Sequence, residues 1–278
     1  MLALPPLVRA QGTPADGQRA AKDTTPLPRV PLFTWRDGVL AGGFVIGTVA
    51  LFPLDKSVAQ DLQTPGNQAN HFFKTVATGF TTIASPGSYI IGVALYAGGK
   101  ATGQKDVADL GLHGTEAIIV GSAVAYVLKG TFGRERPFVH PANDSTGFDP
   151  YNWKLFRGFS ESDARSFPSG HTIAAFAAAA AVSNEASRWW PKYRWYVGTV
   201  MYGGATMVGL SRMFDNKHWA SDVMMGAAIG TFAGNKVVRY NHRTDPSNRL
   251  DKWLLAANIT PTPDGGLAIG WTFTPSSW

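Results

Sequence analysis

From Leu32 onward the chain alternates apolar stretches with polar connectors rich in Pro, Gly, Asp and Asn. Six stretches stand out: 38–54, 83–99, 115–128, 172–182, 195–211 and 221–234. Their Ala, Gly, Val and Ile residues show no period-two alternation, which predicts helices. Only near the C-terminus does the period fall to two. There Thr262-Pro263-Asp264-Gly265-Gly266 supplies turn signals ahead of Leu267, Ile269, Trp271 and Phe273, which predicts a short strand or hairpin. The expected fold class is all-α, a bundle of about six core helices with a short C-terminal strand or hairpin. The longest polar connector runs from 130 to 170. Residues 1–32 read as a signal remnant or disordered tail, 33–240 as the helical domain, and 241–278 as a C-terminal extension.

Whether these helices cross a membrane divides the pattern. A spanning helix needs roughly 20 mostly apolar residues. The cleanest runs here are shorter, and the mean hydropathy of −0.05 is low for a six-span protein. Short Ala-rich helices also bury well against one another in a soluble domain. Against that stands Arg188-Trp189-Trp190-Pro191-Lys192-Tyr193-Arg194-Trp195, an aromatic and basic cluster of the kind found at bilayer interfaces. If all six stretches span, Lys and Arg are in excess on the side that holds 1–36, 100–114, 183–194 and 235–278. The positive-inside rule then puts the N-terminus in the cytoplasm and the opposite face outside. At residues 1–12 an apolar run and Val8-Arg9-Ala10 fit a cleaved leader, though no positive segment precedes them. Cleavage reverses the orientation, so the two clues exclude each other for six spans.

Charge narrows the partners. The formal charge of +6 and pI near 9.5 point to anions. The basic residues are scattered rather than grouped in a stripe, which argues against nucleic acid. Without cysteine there is neither disulfide nor thiolate metal site. The histidines at 71, 113, 140, 171, 218 and 242 show no HxH or HExxH spacing, so no metal ligands are expected.

Three separated segments carry the chemistry. Lys129 and Arg136-Pro137 form the first, Pro168-Ser169-Gly170-His171 the second, and Ser211-Arg212 with His218 and Asp222 the third. His218 and Asp222 stand four apart at a helix start, so they share a face. A carboxylate beside one imidazole nitrogen fixes the tautomer and frees the other nitrogen as base or nucleophile. Ser169 suits a helix N-cap, and the first-turn N–H groups behind it make an anion site, which Gly170 leaves open to close approach. His171 at the rim is placed to protonate a leaving oxygen. Lys129, Arg136 and Arg212 supply charge suited to phosphate. Glycines 130 and 133 are expected to break the helix after Lys129. Taken singly, each feature has an ordinary reading: a surface His–Asp pair, a capped helix, exposed cations. Together they supply cations, N–H donors, an acid and a nucleophile, which is what transfer from a phosphate dianion requires. Arg134 receives no role.

These residues resemble the three-part signature of the type 2 phosphatidic acid phosphatase and vanadium haloperoxidase superfamily, KxxxxxxRP, PSGH and SRxxxxxHxxxD, with every specified position present in order. The resemblance implies an all-α bundle that gathers the motifs at one end, covering about 33–240. It implies that Lys129, Arg136, Ser169, Gly170 and Arg212 hold phosphate and that His218 attacks phosphorus. Asp222 then orients His218, while His171 protonates the leaving alcohol and later activates water. No metal or other cofactor is implied; vanadate enters only under the haloperoxidase alternative. The leading expectation is an enzyme acting on lipid phosphates or diphosphates. It would sit in a bacterial-type cell envelope, membrane-associated, with the site facing the periplasm or exterior. A soluble periplasmic acid phosphatase of broad specificity is the alternative, favoured by the modest hydropathy. Oligomeric state is not legible.

Overall fold

A computed structural model of the chain describes residues 32–144, 146–242, 257–261 and 267–271. Among these residues the chain forms nine helices: α1 (Trp35–Leu51), α2 (Asp55–Leu62), α3 (Pro65–Gln68), α4 (His71–Thr82), α5 (Ser88–Thr102), α6 (Lys105–Phe132), α7 (Gly170–Trp189), α8 (Arg194–Phe214) and α9 (Ala220–Asn241). The all-α expectation stands, with more helices than the six stretches suggested. Those missed, α2 to α4, carry too many polar residues to show as apolar runs. The stretch at 83–99 is not one helix. Pro86 cannot donate to the preceding turn, and Ser85 takes an extended backbone (φ −161°), so the chain kinks over Ile83–Gly87 before α5 starts. Conversely, α6 begins ten residues before its apolar run and spans 28 residues. Near the C-terminus, β1 (Ala257–Pro261) and β2 (Leu267–Trp271) pair antiparallel with Ile259 opposite Ile269, as the alternation predicts.

Helix α7 is the central element, packed on α6, α8 and α9. Its buried face is built of alanine, and Ala177, Ala179, Ala180 and Ala181 are wholly inaccessible. Glycines 226, 230 and 234 of α9 lie along it at one-turn intervals. A Cβ on them would come within 2.8 Å of Ser169 O, 2.4 Å of Ile173 O and 2.5 Å of Ala177 O. The two backbones therefore touch along a seam with no side chain between them.

The large apolar residues lie on the outside instead. Ile46 is 70% exposed, Val200 69% and Ile90 63%, and Trp195 and Tyr196 are more exposed still. Small residues inside and branched apolar residues outside is the pattern of helices packed in lipid, where close backbone contact rather than water exclusion drives association. Three helical segments, Trp35–Leu62, His71–Thr102 and Lys105–Phe132, are long and apolar enough to cross a membrane. This choice between membrane and soluble domain was open in the sequence. Mean hydropathy obscured it because the polar connectors and terminal segments dilute the average. An ion cluster, Asp37 with Lys236 at 2.7 Å and Arg239 at 3.0 Å, ties the start of α1 to the end of α9.

Candidate active site

All eight residues singled out in the sequence come to one end of the bundle. Lys129 ends α6, and Arg136 follows in the extended segment after it. Ser169 caps α7 with Gly170 and His171 in the first turn, Arg212 closes α8, and His218 and Asp222 flank the start of α9. The helix carrying Lys129 does not break at Gly130, as the glycine spacing suggested. It runs on to Phe132 and ends at Gly133, whose φ of +58° is the left-handed turn that glycine adopts without strain. Gly130 instead lets the Phe159 ring lie against the helix; a Cβ there would sit 2.2 Å from that ring. The connector 130–170 is a folded wall. Phe132, Trp153 and Phe167 stack edge-to-face with centroids 5.2–6.0 Å apart.

The cationic groups keep unspent donors. Arg212 gives Nη1 to Asp215 Oδ2 (3.0 Å) and Thr81 Oγ1 (3.1 Å), while its buried Nε has no protein partner. The Nε of Arg136 is likewise buried and unpartnered. Lys129 Nζ donates once, to Arg165 O at 2.8 Å, and its Cε lies 3.5 Å from where a Cβ on Gly170 would be. Ser169 is fully buried, makes no side-chain cap hydrogen bond, and accepts at Oγ from Thr172 Oγ1 (2.8 Å). Its hydroxyl proton and the α7 first-turn N–H groups thus face the same end as the cations.

The two histidines are held neutral. Burial, and then the charges of Arg212, Lys129 and Arg136, depress His171 to about 4. Burial takes His218 to about 3 against the opposing pull of Asp222. Neutral imidazole is the form a nucleophile requires.

His218 Nδ1 stands 3.6 Å from Asp222 Oδ2, too far for a hydrogen bond in this state, and has no other partner. The nitrogen facing Asp222 is therefore Nδ1, and Nε2 is the nitrogen turned away from the carboxylate. Both Asp222 oxygens are already engaged: Oδ1 accepts from Arg134 Nη1 (2.5 Å), and Oδ2 from Ser166 Oγ (2.5 Å) and Trp219 N (2.9 Å).

Arg134 is the residue the sequence reading left without a role, and it lies directly behind the His–Asp pair. It is wholly buried. Its fork spans two carboxylates, with Nη1 on Asp222 and Ser221 Oγ (2.7 Å) and Nη2 on Asp55 Oδ2 (2.7 Å), while Nε donates to Pro150 O (2.9 Å). Phe52, Trp153 and Trp219 surround its guanidinium, with centroids 4.7–5.5 Å away. Asp55 in turn accepts from Ser221 N (2.8 Å) and Ser221 Oγ (2.5 Å). Asp55, Arg134, Ser166 and Ser221 thus hold Asp222 in place. One signal pointed to such a cation: a carboxylate at a buried helix start needs a counter-charge, and Arg134 is in the same segment as Arg136. Nothing local marks Asp55.

An apolar cavity of about 210 Å³ opens between α4, α5, α6, α7 and α8, with Phe80, Ala84, Ala175, Ala205 and Val208 in its wall. Ala175 is one turn beyond His171 on α7, and Val208 one turn before Arg212 on α8. The cavity therefore starts about one helical turn below the cationic cluster.

Several known proteins resemble this chain in sequence or in fold. Residues 112–245 match the model of the PAP2 superfamily. Over 71 residues the chain is 45% identical to the lipid A 1-phosphatase of Porphyromonas gingivalis; the aligned part is 26% of this chain and 15% of that protein. The chain thus spans only a small part of the length of this curated relative. Among solved structures it is similar to a transmembrane PAP2 type phosphatidylglycerolphosphate phosphatase from Bacillus subtilis (TM-score 0.51, 17% identity, 76% of this chain and 98% of that one). It is also similar to LpxE from Aquifex aeolicus (TM-score 0.44, 23% identity, 69% and 94%).

Proposed function

Because this chain belongs to the PAP2 superfamily over residues 112–245, we propose that it is a membrane phosphatase hydrolysing lipid phosphate monoesters or diphosphates through a phosphohistidine on His218. The carrying observation is the convergence of Lys129, Arg136 and Arg212, two of them with buried unpartnered donors, on the ends of α7 and α9 where both histidines stand. Lys129, Arg136, Arg212, Ser169 Oγ and the Gly170 N–H hold the phosphate oxygens. His218 Nε2 attacks phosphorus, and the bond from phosphorus to the lipid oxygen breaks. His171 gives its proton to that oxygen, and the lipid alcohol leaves. Water then attacks the phosphohistidine while His171 takes a proton from it, which releases inorganic phosphate and restores His218. Asp222 closes the 3.6 Å gap to His218 Nδ1 as positive charge develops on the ring. Positive charge for the transferred phosphoryl comes from side chains, so the step as written draws on no metal.

His171 depressed to about 4 looks ill-suited to donating a proton. Burial is the first cause of that depression and the three cations the second; a phosphate dianion neutralises the cations, so substrate relieves their share and raises His171 toward its working range. The lipid class of substrate is supported by the apolar cavity one turn below the cluster, by the apolar exterior, and by the name of the relative that shares 45% identity. If all six apolar stretches span, the Lys and Arg excess counted along the sequence favours a site facing the exterior.

The test is trapping. After brief reaction with a ³²P-labelled lipid phosphate and quenching, label should sit on His218 in an acid-labile, base-stable bond. His218→Gln should lose both the label and turnover. Wild-type turnover in His218→Gln would refute the mechanism.

A further inference from the structure

We propose that His113, Glu185 and His242 form a binding site for one divalent transition-metal cation of the zinc class, at the end of the bundle opposite the candidate active site. The three residues come from different elements: His113 from the first half of α6, Glu185 from the last third of α7, and His242 from just beyond α9. Glu185 stands fifteen residues after Gly170, about 22 Å along α7 at roughly 1.5 Å per residue. The cluster therefore shares nothing with the phosphate pocket.

One ligand atom from each residue lies within 4.8 Å of the other two. Glu185 Oε1 is 2.7 Å from His113 Nδ1 and 2.8 Å from His242 Nε2. His113 is 1% exposed and Glu185 0%, while the His242 side chain is 17% exposed and gives access from outside. Two imidazole nitrogens turned toward one carboxylate supply the donor atoms of the three-ligand His and Glu sets that bind zinc. Imidazole with carboxylate suits zinc, cobalt or nickel better than calcium or magnesium, which prefer all-oxygen shells.

A second observation favours a cation over a hydrogen-bonded clasp. Among the described residues, Glu185 Oε2 is buried with no partner, and so is Oδ1 of Asp109, which lies one turn before His113 on α6 and is 3% exposed. Two buried carboxylates thus each keep an oxygen unmatched, which costs stability unless something positive meets it. A divalent cation bound at Glu185 would bring positive charge to these buried oxygens. The adjustment needed is small. Ligands on tetrahedral zinc sit about 3.3 Å apart for bonds of about 2.0–2.1 Å, so each nitrogen must retreat by roughly half an ångström. The ion replaces the protons that the ring nitrogens share with Oε1 in the metal-free state.

The purified full chain in detergent, stripped with chelator, is titrated with zinc by calorimetry and analysed for bound metal after gel filtration. One zinc per chain is expected, with a rise in thermal midpoint, and cobalt(II) should give the visible absorption of a low-symmetry N/O site. His242→Ala, at a partly exposed helix end, should keep its circular dichroism spectrum and lose the bound ion. Glu185→Gln, which keeps the shape but not the charge, should also lose it. His218→Gln should bind zinc like the wild type, so failure here and failure of the phosphatase reading are distinguishable. A wild-type chain that retains no stoichiometric zinc, or a His242→Ala chain that binds it equally, would leave only a hydrogen-bonded clasp and overturn the proposal.

Discussion

Arg134→Lys isolates the support behind the His–Asp pair without removing its charge. The guanidinium makes hydrogen bonds to Asp222, Ser221, Asp55 and Pro150 from three nitrogens. Lysine brings one nitrogen on a flexible stem, so it serves Asp222 or Asp55 but not both in the present geometry. The other carboxylate is then buried without a counter-charge, a loss of about 3–5 kcal/mol. That is a large part of the roughly 5–15 kcal/mol by which domains are stable, so the thermal midpoint should fall by several degrees while the chain still folds. If lysine takes Asp55, Asp222 loses its hold and His218 its alignment, and kcat should fall on the order of 10²- to 10⁴-fold. Turnover is measured in detergent well below the variant's midpoint, with a soluble aryl phosphate and with a lipid phosphate. Both should fall alike, because the defect lies behind the nucleophile and not at the lipid cavity. Adding Asp55→Asn leaves the lysine a single carboxylate to serve, so the double variant should regain part of the stability lost by Arg134→Lys, a coupling that independent sites do not show. An Arg134→Lys chain with wild-type midpoint and kcat would remove Arg134 from the account.

Two further outcomes follow from the histidines. His218 is depressed in the folded chain to about 3 from an ordinary 6.5, so between these values the unfolded chain binds the extra proton and stability falls as pH falls. At about pH 4.5 the loss from this group is roughly 2–3 kcal/mol; unfolding midpoints from pH 7 to 4 should show it, and His218→Gln should flatten the curve, a flat wild-type curve being the contrary result. His171→Ala should cut the rate of phosphoenzyme formation, read as the pre-steady-state burst, on alkyl and lipid phosphates by about 10²- to 10⁴-fold and much less on p-nitrophenyl phosphate, whose leaving group needs no proton. Equal losses on both substrates would place His171 in binding and not in acid catalysis.

How much was legible follows from which interactions are local. The six apolar stretches located the helices whose faces are apolar, and the eight residues named from the motif spacing come together at one end of the bundle, but the Asp55–Arg134–Ser166–Ser221 support behind Asp222 was not among them. Helices α2 to α4 stayed hidden because their burial depends on partners far away, such as Gln60 Nε2 donating to Ala142 O and Gln63 Nε2 to Phe214 O. The break at Pro86 was readable in principle, since proline punctuates helices, but the continuous apolar run masked it. Arg134 was passed over because a cation two residues from Arg136 looks like surface charge; only the fold shows two buried carboxylates on it. The His113–Glu185–His242 cluster lay beyond any local rule. Histidine spacing along the chain speaks only for ligands on one element, and these three are joined by tertiary contact.

The glycine seam between α7 and α9 fixes more than packing. Ser169 and His171 start one helix, Asp222 and, just before it, His218 start the other, and the two axes meet backbone to backbone. The span from His171 to His218 is therefore gauged by main-chain dimensions and owes nothing to rotamers of an intervening core. On the proposed function, substitutions in the cavity wall from α5 or α8 alter which lipid is accommodated while this gauge stays fixed. Reaction geometry and substrate choice are mechanically decoupled, so descendants of one chain can change diet without re-inventing their chemistry.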